Sequence, residues 1–250
     1  MMEKKIVLIT GASSKIGMCI ADKLASQNYE LILTYNKNKE LIENLKKELL
    51  SKYNIDVLLI KADLREEKEI KNIIDCAINK YGRIDILINN AAIEHDNTLE
   101  NKTKEEFMDV LNVNLIAPFL LSKYASKYMI KNNYGKIINI ASTNGIDTYY
   151  PSSLDYDASK AGLISLTHNL AIELAPYITV NAIAPGWTNT DMNKNLSEEQ
   201  KKKINERILL KRFANPDEIA NVVAFLASPE ASYINNEVIR VDGGSFNDSI

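Results

Sequence analysis

Short apolar runs alternate with longer amphipathic stretches from one end of this chain to the other. Residues 6–10, 31–35, 57–61, 84–89, 136–141, 178–184 and 237–241 are rich in Ile, Leu and Val and too short for helices, so they read as strands. Residues 16–28, 39–52, 66–81, 107–131 and 155–175 have helical length and repeat apolar positions three or four apart. Near-continuous apolar strands are covered on both faces, as in a parallel sheet whose crossovers are helices. The repeated strand–helix order predicts an α/β fold: a single doubly wound Rossmann-type domain over residues 1–250, with a parallel seven-stranded sheet and helices on both faces. No Pro/Gly/Ser-rich linker or change of composition divides the chain.

Composition narrows the class of function. With 46% hydrophobic and 25% charged residues and a mean hydropathy of -0.19, the chain resembles an ordinary soluble globular protein. A net charge of -3 gives no electrostatic reason to expect nucleic acid or a membrane surface as partner. No apolar run is long enough for a bilayer, and Met1-Met2-Glu3-Lys4-Lys5 leads into the first strand without a signal-peptide pattern. Cys19 and Cys76 lie far apart in helical stretches and read as reduced thiols of a cytoplasmic protein. The two histidines, His95 and His168, belong to no metal-ligand cluster, and no metal is expected.

Ligands of a doubly wound sheet bind beyond the carboxyl ends of its strands. At the end of the first strand stands Thr10-Gly11-Ala12-Ser13-Ser14-Lys15-Ile16-Gly17. Gly11 permits the sharp turn, Gly17 lets helix and strand pack closely, and the helix N-terminus can face a pyrophosphate. Standing alone, the same letters would also write a plain strand–helix turn. The second constellation is Tyr156-Asp157-Ala158-Ser159-Lys160. Residues four apart share a helix face, and an ammonium beside a phenol favours the phenolate. Bringing a tyrosine from a pKa of about 10 to neutrality takes ~4 kcal/mol of such preference. The pair is therefore a candidate proton donor for carbonyl chemistry.

Together these motifs resemble the short-chain dehydrogenase/reductase family, and the 3-oxoacyl-carrier-protein reductase-like branch in particular, over nearly the whole chain. The glycine loop matches the family pattern except that Lys15 replaces its middle glycine. Asn89-Asn90-Ala91-Ala92 resembles the family's N-N-A-G, with Ala92 for glycine. Arg212-Phe213 through Val241-Asp242-Gly243-Gly244 is similar to its C-terminal signature. The resemblance implies a catalytic set of Asn114, Ser142, Tyr156 and Lys160. Ser142 and Tyr156 would face the substrate oxygen, Lys160 would hold the nicotinamide ribose, and Asn114 would position a water joining Lys160 to solvent. It implies cofactor contacts at Gly11, Ser13, Ser14, Lys15, Ile16, Gly17, Asn36, Lys37, Asp63, Leu64, Asn90, Ala91, Tyr156, Lys160, Pro185, Gly186, Thr188 and Thr190, with Asp63 at the adenine. It also implies a homotetramer, or failing that a dimer, built on the long helices and the C-terminal segment.

Cofactor choice is read from the end of the second strand, where NAD-preferring members carry an acid for the ribose 2′-hydroxyl. Here Tyr35 fills that place and Lys37 follows, so NADP(H) is favoured over NAD(H). The expected function is NADP(H)-dependent hydride transfer on a small carbonyl or alcohol. The alternatives are a 3-oxoacyl-[acyl-carrier-protein] reductase, with acyl carrier protein as partner, and a non-catalytic nucleotide sensor. Carrier docking often uses a basic residue before the strand that ends in the catalytic serine, where this chain has Asn132-Asn133-Tyr134 flanked by Lys131 and Lys136. The substrate pocket is expected between residues 143–155 and 190–212, near Tyr149, Tyr150, Trp187 and Met192.

Overall fold

Alternation along the first strand decides which side of the sheet each residue serves. In the computed structural model, which describes residues 4–194 and 196–245, β1 (Ile6–Ile9) sends Val7 and Ile9 into one apolar cluster and Ile6 and Leu8 into another. The first cluster packs the sheet against α1 (Lys15–Ser26), α2 (Lys39–Tyr53) and α8 (Pro216–Ala227) through residues such as Leu24, Ile42 and Val223. The second packs it against α3 (Glu67–Tyr81), α5 (Ala117–Lys131) and α6 (Leu154–Leu174) through Ile73, Leu121 and Leu174. Both faces are thus covered, as near-continuous apolar strands require. Residues 1–3, 195 and 246–250 of the expected domain lie outside the described residues.

The other strands are β2 (Glu30–Tyr35), β3 (Val57–Lys61), β4 (Ile86–Asn89), β5 (Gly135–Ile140), β6 (Ile178–Pro185) and β7 (Val238–Val241). All seven are parallel, in the order β3-β2-β1-β4-β5-β6-β7. The order reverses between β1 and β4, where a doubly wound sheet opens a crevice at its carboxyl edge.

The single helix expected over residues 107–131 is a composite. It begins earlier, as α4 (Lys104–Leu111), capped by the Thr103 hydroxyl and the Glu106 carboxylate in a reciprocal box. A π-turn over Asn112–Ile116 follows, in which the Ala117 N–H donates to the Asn112 carbonyl, before α5 completes the rod. Two short segments complete the carboxyl edge: the helix α7 (Glu198–Glu206), capped by Ser197, and the 3₁₀ turn Asp191–Asn193.

Candidate active site

The carboxyl ends of β1 to β6 line a cleft of about 1220 Å³. At β1, Gly11 has φ +61, and a Cβ there would stand 2.8 Å from the Ala91 Cα, so only glycine lets the loop lie against the end of β4. The Thr10 hydroxyl accepts the N–H groups of Asn90 and Ala91, each at 3.0 Å, while the Asn90 amide donates to the Thr10 and Gly11 carbonyls. Ser14 caps α1 by accepting the Gly17 N–H at 3.1 Å. The first-turn amides of Lys15 and Ile16 have no partner within a helix, and both residues line the cleft beside Ser13 and Ser14. Such a terminus fits a pyrophosphate.

Gly17 is placed differently from the other expected cofactor contacts. It lies outside the cleft lining, and a Cβ on it would meet the Gly11 carbonyl oxygen at 2.5 Å. It serves the close approach of helix and loop, and its N–H is spent on Ser14.

Along the sheet towards β3, Tyr35 is buried at the end of β2, and Asn36 and Lys37 follow on the cleft wall with Asp63 and Leu64. Burial would raise the Asp63 carboxyl, but the backbone and guanidinium of Arg65 and the Asn36 amide hold it below its ordinary value. Lys15 does not turn to this end. Its ammonium pairs with Asp191 at 3.1 Å, across the cleft mouth.

Towards β6 the proton-transfer residues converge. Ser142 follows β5, Tyr156 stands in the first turn of α6 and Lys160 one turn on, and all three line the cleft. The Ser142 hydroxyl donates to Asn144 Oδ1 and accepts the Asn144 N–H, each at 3.2 Å, and it favours the ionised form of the nearby Tyr156 phenol. The Lys160 ammonium donates to the Ile140 carbonyl at 2.7 Å and lies 5.4 Å from the centre of the Tyr156 ring. Burial pushes the Tyr156 phenol above its ordinary range, the negative field of Glu94 adds to this, and Ser142 opposes it. Burial also pushes Lys160 down to about 7. The sequence suggested the opposite for the phenol, a shift downward under a fixed ammonium; in the structure burial raises the phenol and also pushes the ammonium towards its neutral form.

Asn114 is fully buried behind the cleft wall and does not line it. Its amide exchanges two hydrogen bonds of 2.9 Å with the backbone of Ile93 and donates to Ser159 Oγ at 3.1 Å. Ser159 in turn donates to the Tyr156 carbonyl at 2.7 Å. Both amide hydrogens are committed to protein, so the side chain positions the β4 loop against α6 and has no donor left for a water.

Pro185, Gly186, Thr188 and Thr190 close the far wall after β6. Trp187 meets Tyr150 edge-on at 5.4 Å and stacks on Phe213 at 5.5 Å, making the aromatic side of the substrate end. Tyr150 and Met192 line the cleft as expected, whereas Tyr149 points outward and is 71% exposed. Sequence reading passed over the segment after β4. Glu94 and Asp96 line the cleft there, and the buried pair Lys102–Asp155, 2.8 Å apart, stands behind them. The acids of Glu94-His95-Asp96 directly after a strand end were the available signal. Among the described residues no group of three metal-ligating side chains forms.

Comparison with known proteins decides the lineage. A family model described as Enoyl-(Acyl carrier protein) reductase matches residues 11–245. The 3-oxoacyl-[acyl-carrier-protein] reductase FabG of Aquifex aeolicus is 41% identical over 246 residues, 98% of either chain. The chain belongs to the short-chain dehydrogenase/reductase family. Among solved structures, the NADPH-dependent reductase YwfH of bacilysin biosynthesis superimposes with a TM-score of 0.92 at 32% identity, over 99% of this chain and 100% of that one. Levodione reductase does so with 0.90 at 34% identity over 96% of each. As a short-chain dehydrogenase/reductase the protein is an oxidoreductase that moves hydride between a nicotinamide and a CH–OH or C=O group.

Proposed function

We propose that this short-chain dehydrogenase/reductase is a cytoplasmic, NADPH-dependent reductase of a small carbonyl compound, with Tyr156 as its proton donor. The observation that carries the reading is the convergence of Ser142, Tyr156 and Lys160 at one end of a cleft whose other end carries Asp63 and Lys37. When bound, a nicotinamide dinucleotide supplies the hydride. The Tyr156 phenol, held protonated by burial, gives its proton to the carbonyl oxygen, and Ser142 holds that oxygen by a hydrogen bond. Both donors stand where negative charge develops, so they favour the transition state over the substrate. Lys160, near 7, exchanges protons easily at neutral pH and can recharge the phenolate while holding the ribose hydroxyls.

NADPH is favoured because Tyr35, Asn36 and Lys37 end β2 without a carboxylate, which leaves a counter-charge and no repulsion for a 2′-phosphate. The FabG relatives support a second reading, reduction of 3-oxoacyl groups on acyl carrier protein. Against it, the Lys136 ammonium is buried and donates to the Leu226 and Ser228 carbonyls at the end of α8, which removes it from any docking face.

A cofactor-oxidation screen over ketones, aldehydes, sugars and acetoacetyl thioesters, run with NADPH and NADH, tests the proposal. NADPH should give the higher kcat/KM, and Tyr35→Asp should move the preference towards NADH. A wild type that prefers NADH overturns the cofactor assignment, and a large preference for the carrier-linked thioester promotes the second reading.

A further inference from the structure

The segment after β4 brings to the reaction centre a carboxylate that hydride transfer does not use. Glu94 lines the cleft between Ile93, which Asn114 ties to Ser159, and Asp96, which accepts from Ser153, so it stands near the start of the helix that carries Tyr156. Its acidic neighbours are all engaged. Asp96 accepts from the Ser153 hydroxyl at 2.8 Å, and Asp155 takes the Lys102 ammonium at 2.8 Å. Asp157 accepts from the Asn144 amide at 2.6 Å, and Asp109 holds His95 at 2.8 Å. Glu94 has neither hydrogen bond nor ion pair among the described residues, and Lys102, the cation nearest in the chain, is already spent on Asp155 and the His95 carbonyl.

A half-buried carboxylate without a partner is costly, and a ligand that brings a donor to it recovers that cost as affinity. An alkyl chain laid against Glu94 would desolvate it with nothing in return. A 3-oxoacyl thioester presents only acceptor oxygens near its reacting carbon, which the ionised form of Glu94 repels, whereas a hydroxyl or ammonium donor favours that form and draws the carboxyl down from about 7. Ile93 is tied through Asn114 to Ser159, and Asp96 to Ser153, so the residues on either side of Glu94 are held at the start of the Tyr156 helix, and the required donor belongs at the reacting end of the cleft. The aromatic wall of Tyr150 and Trp187 encloses the same end of the cleft and takes the apolar remainder.

We propose that Glu94 is a specificity-determining residue that accepts a hydrogen bond from a hydroxyl or ammonium group beside the reacting carbonyl, so that the substrate is a hydroxy ketone or amino ketone, reduced to the corresponding diol or amino alcohol. This rests on the carbonyl-reductase reading and names its substrate class.

The experiment compares hydroxyacetone, aminoacetone and butanone as substrates with NADPH, in the wild type, Glu94→Gln and Glu94→Leu. Butanone replaces the hydroxyl of hydroxyacetone by a methyl group, so the ratio of the two isolates the donor. The wild type should prefer hydroxyacetone over butanone by roughly tenfold to a hundredfold in kcat/KM, the worth of one hydrogen bond to a charged group. In Glu94→Leu that ratio should fall to near one, mainly through KM for hydroxyacetone. Glu94→Gln keeps an acceptor but no charge, so it should retain more hydroxyacetone than aminoacetone activity if the natural donor is a hydroxyl, and lose both if it is an ammonium. Tight NADPH binding by fluorescence, kept in all three proteins, shows that the variants are folded. A ratio unchanged by Glu94→Leu, or a wild type indifferent to the hydroxyl while it reduces butanone, overturns the assignment and leaves the reductase reading intact. A wild type that reduces no carbonyl in the wider screen fails the reductase reading itself, and the assignment with it.

Discussion

Tyr156 and Lys160 share a helix face because they stand four apart, and that much follows from spacing. Their ionisation does not, because it depends on what covers them. Burial disfavours whichever form is charged, so it raises the phenol and lowers the ammonium together. Replacing Tyr156 by Phe keeps the ring and removes the proton; turnover should fall by about 10²-fold or more, with cofactor affinity, followed by fluorescence titration, almost unchanged. Retention of more than about a tenth of kcat would refute the proton-donor role, given what acid–base catalysis is usually worth. Lys160→Ala should damage both turnover and affinity. Glu94 gives a separate signature in stability. Burial first, then Asp96 and Asp155, raise its carboxyl from 4.5 to about 7. The native state therefore holds this proton more tightly than the unfolded chain, and stability contributed by the protonated form is lost as pH rises from 4.5 through 7. Glu94→Gln should remove that loss. In thermal scans the variant should gain on the wild type between about pH 5 and pH 8; a constant difference would deny the shifted titration.

At the scale of elements, the strands and crossovers were legible because a fully covered parallel sheet writes itself in uninterrupted Ile, Leu and Val, and β1 shows the two faces alternating residue by residue. The π-turn at Asn112–Ile116 was not legible. Apolar spacing runs through it unbroken, and the partner that Asn114 binds from within it, the Ile93 backbone, lies elsewhere in the chain. π-turns of this kind recur at functional sites, and here the turn ties the β4 loop, which carries Glu94, to the helix that carries Tyr156. The place of Lys136 is illegible for a similar reason: its ammonium ends on α8, about ninety residues away in sequence, a pairing no local pattern announces, though a cation at a helix C-terminus is favourable. The glycine loop was readable in outline, yet the pairing of Lys15 with Asp191 is tertiary. Asn114→Ala would strand the Ile93 N–H and C=O in a buried setting, at a cost of roughly 2–4 kcal/mol. Denaturant unfolding should register that loss, and kcat should fall with it because the Tyr156 helix loses its tie. A variant with wild-type stability would show that Asn114 does not hold the two segments together.

The whole molecule leaves apolar surface where its own core cannot use it. On the face of the α4–α5 rod and α6, Leu163 is buried inward, but Ile116, Phe119 and Ile172 remain 42%, 39% and 75% exposed. At the far end of the sheet, β7 pairs with β6 alone among the described residues, which leaves its other edge without a strand from among them, and Phe225 and Tyr233 are exposed. An open strand edge and an unpartnered helix pair are both surfaces that proteins normally cover. They lie on different parts of the molecule, and each can be covered by the same surface of a second copy about a two-fold axis. Two distinct two-fold interfaces close into a tetramer of D2 symmetry. We therefore expect light scattering at micromolar concentration to give four times the 28.1 kDa chain mass. Charges placed on the helix face, as in Phe119→Glu with Ile172→Glu, should cut the tetramer to dimers by removing one interface while the β7 edge keeps the other. A wild-type mass of 28.1 kDa would defeat both interfaces. A wild-type dimer that the double substitution leaves intact would place the surviving contact at the sheet edge.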